Sequence, residues 1–99
     1  GRTVARAVAD EVAARNAATG AGHGLVIGAT LDRAVHGIEP DASTPVLAPG
    51  FGAQGARLGD LHRLFPPAAL VLASASRSIL GAGAEGLADA IEAARAELP

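Results

Sequence analysis

The stretch PVLAPGFGAQGA, residues 45–56, runs from an apolar segment into a loop that sets three glycines around one glutamine, and no charge appears before Arg57. The first four residues, PVLA (45–48), have strand length. The remainder has the composition of a turn whose backbone must come close to something. Two more apolar runs resemble PVLA. GLVIGA (24–29) lies upstream and ALVLAS (69–74) downstream, so strands are expected to start at Gly24, Pro45 and Ala69. GLVIGA shows no polar alternation, which predicts burial on both faces, as in a parallel sheet.

Helical patterns separate these runs. Thr3 is placed to cap a helix reaching about Ala18, with Val4, Val8 and Val12 as an apolar stripe. Arg6 with Asp10 and Glu11 with Arg15 form i,i+4 pairs on a solvated face. Thr30 is placed to cap a short helix in which Leu31, Ala34, Val35 and Ile38 recur at helical spacing, and Pro40 and Pro45 bracket a turn. After the glycine loop, Leu58, Leu61 and Phe65 form a stripe that Pro66 and Pro67 end. A helical turn is expected around Ser78 and Leu80, and a final helix has Leu87, Ile91, Ala94 and Leu98 on one face.

Regular alternation of helix and strand requires parallel strands joined by right-handed crossovers. Three such strands alone leave two apolar edges unpaired. A (β/α)8 barrel removes the edges by closure and takes about 250 residues. The expected fold is therefore α/β: residues 1–99 form the C-terminal portion of a single (β/α)8 TIM-barrel domain, and the chain is a fragment.

Composition narrows the function. Of 99 residues, 49% are hydrophobic and 18% charged, and two Phe are the only aromatics, so the core is aliphatic. A net charge of -2 supplies no general attraction for nucleic acid or an anionic membrane, so an anion must be held locally. No cysteine is present, which excludes disulfides and thiolate chemistry and suits a reducing compartment. No apolar run approaches the roughly 20 residues of a membrane span, and no signal-peptide pattern opens the chain, so a cytoplasmic location is expected. All eight basic residues are Arg. Guanidinium groups grip oxyanions in a fork but do not serve as lysine acids or Schiff bases.

In barrels, the loops after strands 7 and 8 commonly form a phosphate site. Here the loops after the last two strands are PGFGAQGA and SASRSIL. Gly50, Gly52 and Gly55 permit positive φ, so backbone N–H groups can converge on an oxyanion. Gln54 adds a neutral amide donor. Ser74, Ser76 and Arg77 in the second loop bring hydroxyls, N–H groups and a guanidinium. His23, His36 and His62, at intervals of 13 and 26, lack metal-ligand spacing, and no metal site is expected. Asp32 and Asp60 lie near helix starts, where a carboxylate suits the dipole.

GLVIGAT, LAPGFGAQGA and VLASASRSIL, in this order and spacing, resemble the last three strand–loop units of the orotidine 5'-phosphate decarboxylase family, its Ala-, Gly- and Arg-rich bacterial branch in particular. The resemblance covers essentially the whole chain, and it rests most on the pairing of PGFGAQG with SRSI. It implies conversion of orotidine 5'-monophosphate to uridine 5'-monophosphate and CO2 in pyrimidine biosynthesis, with no cofactor and no metal. It assigns phosphate binding to Gln54, Arg77 and the Ser76 backbone, where many relatives have glycine before the arginine. Pro49, Gly50, Phe51, Gly52 and Gly55 correspond to pocket-lining positions, with Phe51 bulkier than the aliphatic residue expected there. The family's catalytic lysine and aspartates lie in earlier strands, so no catalytic residue is expected in this chain, which alone is inactive. A nucleotide monophosphate substrate and a homodimer of the complete protein are implied. The alternatives are another phosphate-binding TIM-barrel enzyme, such as a sugar-phosphate epimerase or decarboxylase, and a non-catalytic half-barrel.

Overall fold

A computed structural model describes residues 1–66 and 70–99 of the chain. Its order is α1 (Val4–Thr19), β1 (Leu25–Val26), α2 (Arg33–His36), β2 (Val46–Pro49), a 3-10 turn (Leu58–Asp60) running into α3 (Leu61–Leu64), β3 (Val71–Ser74), α4 (Ser76–Leu80) and α5 (Gly83–Glu97). The three strands form one parallel sheet in the order β1-β2-β3. The expected α/β alternation is therefore present. Pro67 and Ala69, expected as a helix stop and a strand start, lie outside the described residues.

Local chemistry explains the element boundaries. Thr3 caps α1 as expected, its Oγ1 accepting from Arg6 N–H at 3.0 Å. Gly20 ends that helix in the left-handed conformation. The pairs Arg6–Asp10 and Glu11–Arg15 both form, at 3.0 and 2.7 Å, and Arg2 adds a second guanidinium on Asp10 at 2.7 Å. These two arginines hold the Asp10 carboxyl below its ordinary value. The expected cap of α2 is corrected. Asp32, not Thr30, caps it, with Oδ1 accepting from Ala34 and Val35 N–H, because α2 starts three residues after Thr30. At the turn before β2, Asp41 Oδ1 accepts from Ser43 N–H, Ser43 Oγ and Thr44 Oγ1 at 2.8, 2.6 and 2.9 Å. Those donors lower the Asp41 pKa, and the Asp41 carboxylate in turn satisfies the hydroxyl of the fully buried Thr44.

The sheet pairs Leu25 with Val46 and Val46 with Val71, and in the next row Val26 with Leu47 and Leu47 with Leu72. Ladder bonds extend β1 pairing further, since Ile27 N–H donates to Leu47 O and Ala29 N–H to Pro49 O. Successive side chains point to opposite faces. Ile27, Val46 and Ala48 are buried with Ile38, Leu58, Phe65, Ala75 and Phe51, and Leu25, Val71 and Ala73 pack against this core. Leu58 and Phe65 are buried, as their stripe predicts.

The other face is bare, which corrects the expectation of burial on both faces. Val26, Leu47 and Leu72 stand in one row across the sheet with exposures of 71%, 44% and 56%. Covering an aliphatic side chain of this kind is worth about 1.5–3 kcal/mol, so the row forgoes much of the stabilisation that its composition could provide. The α1 stripe behaves in the same way. Ala9 and Asn16 are buried and Ala5 packs on the core, whereas Val4 and Val8 are 83% and 52% exposed. Val4, Val8 and Val12 line an open groove of about 630 Å3 that His23 and Gly24 border, just before β1.

Candidate functional site

Adjacent parallel strands end side by side, and here Pro49 at the end of β2 pairs with Ser74 at the end of β3. The chain continues from both points into the two loops singled out by the sequence. Phe51 N–H donates to Ser74 O at 3.3 Å, which fastens the start of one loop to the end of the neighbouring strand. Phe51 itself is buried among core residues, so its ring anchors the loop from below.

Gly50, Gly52 and Gly55 have φ of 110°, 73° and 107°, the left-handed values their positions were expected to need. They fold residues 50–56 into a tight coil. Ala56 N–H donates to Gly50 O, Gly52 N–H to Ala56 O and Gly55 N–H to Gly52 O. The expectation that the glycine N–H groups converge on an oxyanion is corrected for Gly52 and Gly55, whose N–H groups are taken up inside the loop. The N–H groups of Gly52 and Gly55 close the loop, while those of Ala53 and Gln54 at its tip have no acceptor among the described residues.

The loops enclose a small cleft of about 90 Å3 lined by Pro49, Gly50, Phe51, Ala53, Gln54, Ser74, Ser76 and Arg77. All of these but Ala53 were expected to line a site or hold a ligand. Gly52 and Gly55 do not border the cleft; they shape the loop that does. Ala53 borders it without having been assigned a role, and Ser74 borders it as one of the hydroxyls expected in the SASRSIL loop.

Each polar side chain around the cleft is able to donate a hydrogen bond. Gln54 carries its amide back over Gly50, its Oε1 lying 3.1 Å from where a Gly50 Cβ would stand. Ser74 Oγ and Ser76 Oγ are hydrogen-bonded to one another at 3.0 Å. Arg2, Arg6, Arg15, Arg63 and Arg95 each pair with a carboxylate, whereas Arg33, Arg57 and Arg77 have no carboxylate partner among the described residues, and of these three Arg77 borders the cleft. No acid borders the cleft to repel an oxyanion. Nor does the lining include a histidine, lysine or carboxyl group for proton transfer, so its own side chains suit holding an anion rather than breaking a bond.

The histidines lie elsewhere, and no group of three or more metal-ligating side chains gathers among the described residues. No described helix is long and apolar enough to cross a membrane. Sequence reasoning missed Asn16, which is buried on α1 and bonds both backbone groups of His23. Its neighbours are alanines and charges, so position alone did not mark it.

No protein-family model and no solved structure matches the chain. Curated proteins do. The chain is 44% identical over 86 residues to orotidine 5'-phosphate decarboxylase of Salinispora arenicola, covering 84% of this chain and 31% of that protein. It is 44% identical over 87 residues to the enzyme of that name from Nocardioides sp., covering 81% of this chain and 29% of that protein. With the Myxococcus xanthus enzyme the identity is 47% over 91 residues, covering 84% of this chain and 31% of that protein. The chain thus spans about a third of the length of the curated relatives it matches.

Proposed function

From its homology over most of its length to orotidine 5'-phosphate decarboxylases, we propose that this chain is the phosphate-gripping portion of such an enzyme. The observation that carries this reading is the cleft between the β2 and β3 loops, where Gln54, Ser76 and Arg77 meet around a donor-rich space with no acid in its lining.

In this reading the Arg77 guanidinium takes two phosphate oxygens in a charge-assisted fork. The Gln54 amide donates to a phosphate oxygen and draws its loop over the nucleotide. The N–H groups of Ala53, Gln54 and Ser76 and the hydroxyls of Ser74 and Ser76 complete the shell. Pro49 and Gly50 form the side of the cleft nearest the sheet, where the ribose and base enter. Energy gained at the phosphate, remote from the reacting carbon, holds the ring in place for loss of CO2. The proton that replaces CO2 must come from outside these residues, since the chain has no lysine.

The same reading makes residues 1–99 the C-terminal part of a (β/α)8 barrel whose missing strands cover the bare row of Val26, Leu47 and Leu72 and carry the catalytic lysine and aspartates. It also makes the complete enzyme a cytoplasmic homodimer. Turnover of orotidine 5'-monophosphate by the complete protein tests the proposal, with inhibition by uridine 5'-monophosphate measured against simple sugar phosphates. Decarboxylation with selective inhibition by the nucleotide supports it. Absence of turnover, or stronger inhibition by sugar phosphates, rejects it in favour of another phosphate-binding barrel enzyme.

A further inference from the structure

The two walls of the cleft touch at a point outside it. Gly52, at the turn of the glycine loop, faces Ser78 on α4: a Cβ built on Gly52 would stand 2.8 Å from Ser78 Cβ, and nearer still to its Oγ. Such an approach is closer than side chains tolerate, and the Gly52 φ of 73° already disfavours any other residue. Ser78 cannot easily swing away, because its Oγ donates to Ala75 O at 2.9 Å and Ala75 is itself buried. The contact therefore sets a held side chain against a residue whose N–H and C=O both close its own loop.

Its place in the sequence gives it leverage. Gln54 lies two residues beyond Gly52, and Arg77 immediately precedes Ser78. The loops meet at the Phe51 N–H bond to Ser74 O and at Gly52 against Ser78. The first fixes the floor of the cleft. We propose that the second fixes its width, so that Ser78 is a positioning residue: it touches no ligand but sets the separation of the Gln54 wall from the Arg77 wall to suit one tetrahedral oxyanion. A larger side chain at position 78 then wedges the walls apart, and the loss falls on the phosphate rather than on the rest of the nucleotide.

This inference rests on the phosphate reading of the cleft, and the experiment separates the two. Affinities for uridine 5'-monophosphate and uridine are measured in the complete protein for wild type, Ser78→Ala, Ser78→Thr and Ser78→Leu, with thermal stability recorded for each. The expected result is a graded fall in the preference for monophosphate over nucleoside, about tenfold for Ser78→Leu and under threefold for Ser78→Ala, with uridine affinity held in every folded variant. Gly52→Ala, which inserts the clashing atom from the other side, is expected to show the same selective loss. If Ser78→Leu does not fold, Ser78→Thr and Gly52→Ala decide. An unchanged preference in the folded variants, or equal loss for both ligands, overturns the spacer while leaving the phosphate site intact. A wild type with no preference for the monophosphate overturns the phosphate reading and the spacer together.

Discussion

Asn16 on α1 pairs with His23 as one strand residue pairs with another: its Nδ2 donates to His23 O at 2.8 Å and its Oδ1 accepts from His23 N–H at 2.9 Å. One side chain thus satisfies both polar groups of a backbone unit just ahead of β1. It also ties α1 to the point where the sheet begins.

Asn16→Ala is expected to destabilise the protein by about 1–3 kcal/mol, because the two His23 groups lose their partner and a buried amide is removed. Asn16→Asp should fare no better, since its carboxylate faces the His23 carbonyl. Denaturant unfolding of the complete protein checks both. Stability within error of wild type in Asn16→Ala would show that water replaces the pair at no cost.

Arg77→Ala is expected to weaken binding of the nucleotide monophosphate by about 1.5–3 kcal/mol through loss of charge-assisted hydrogen bonds. Gln54→Ala should weaken it less, since a neutral amide gives the weaker bond. Calorimetric titration with uridine 5'-monophosphate measures both. An unchanged affinity in Arg77→Ala removes that residue from the site, and a Gln54→Ala variant that loses only thermal stability makes its loop purely structural.

Phe51 joins core to loop, so its truncation should be felt in both. Phe51→Ala is expected to cost about 3–5 kcal/mol of stability, the usual range for a buried phenylalanine. Monophosphate affinity should fall in the fraction that remains folded, because the loop loses its anchor. Affinity equal to wild type in that fraction would show that the Phe51 N–H bond to Ser74 O holds the loop unaided.

Asp41 gives the acid response a definite sign. Its pKa is lowered in the fold by Ser43 and Thr44. It therefore contributes stability above the unfolded carboxylate pKa, and that contribution is lost as pH falls through the lowered folded value. Asp41→Ala should melt below wild type at neutral pH, and the gap should close in strong acid, where Asp41 of the wild type is itself protonated. A gap independent of pH would mean that the carboxylate charge is not what holds the turn.

Much of this arrangement was legible in the sequence because short-range rules govern it. Unbroken apolar runs gave the strands at Leu25, Val46 and Val71. Thr3 capped its helix, and all three loop glycines adopted the φ values that only glycine takes readily. Where tertiary context decides, the sequence was silent or misleading. Thr30 and Asp32 are both good caps, and only the path of the chain out of β1 chooses Asp32. Val4, Val8 and Val12 announce an apolar face but not which neighbour it meets. For the cleft, the loop residues could be read from their types. The contact of Gly52 with Ser78 could not, since it joins positions 26 apart that nothing in their local patterns connects.

The bare row of Val26, Leu47 and Leu72 also imposes an order in time. The helix-covered face is built from neighbouring βα units, so its contacts form between segments close along the chain and can be made early. In the barrel proposed above, the strands that cover the bare face arrive from farther away, and until they do three aliphatic side chains face water in a line. Covering them within one molecule is a first-order event, whereas two such faces meeting is second-order. Yield on refolding should therefore fall as protein concentration rises, a race lost through crowding rather than through any weakness of the finished fold.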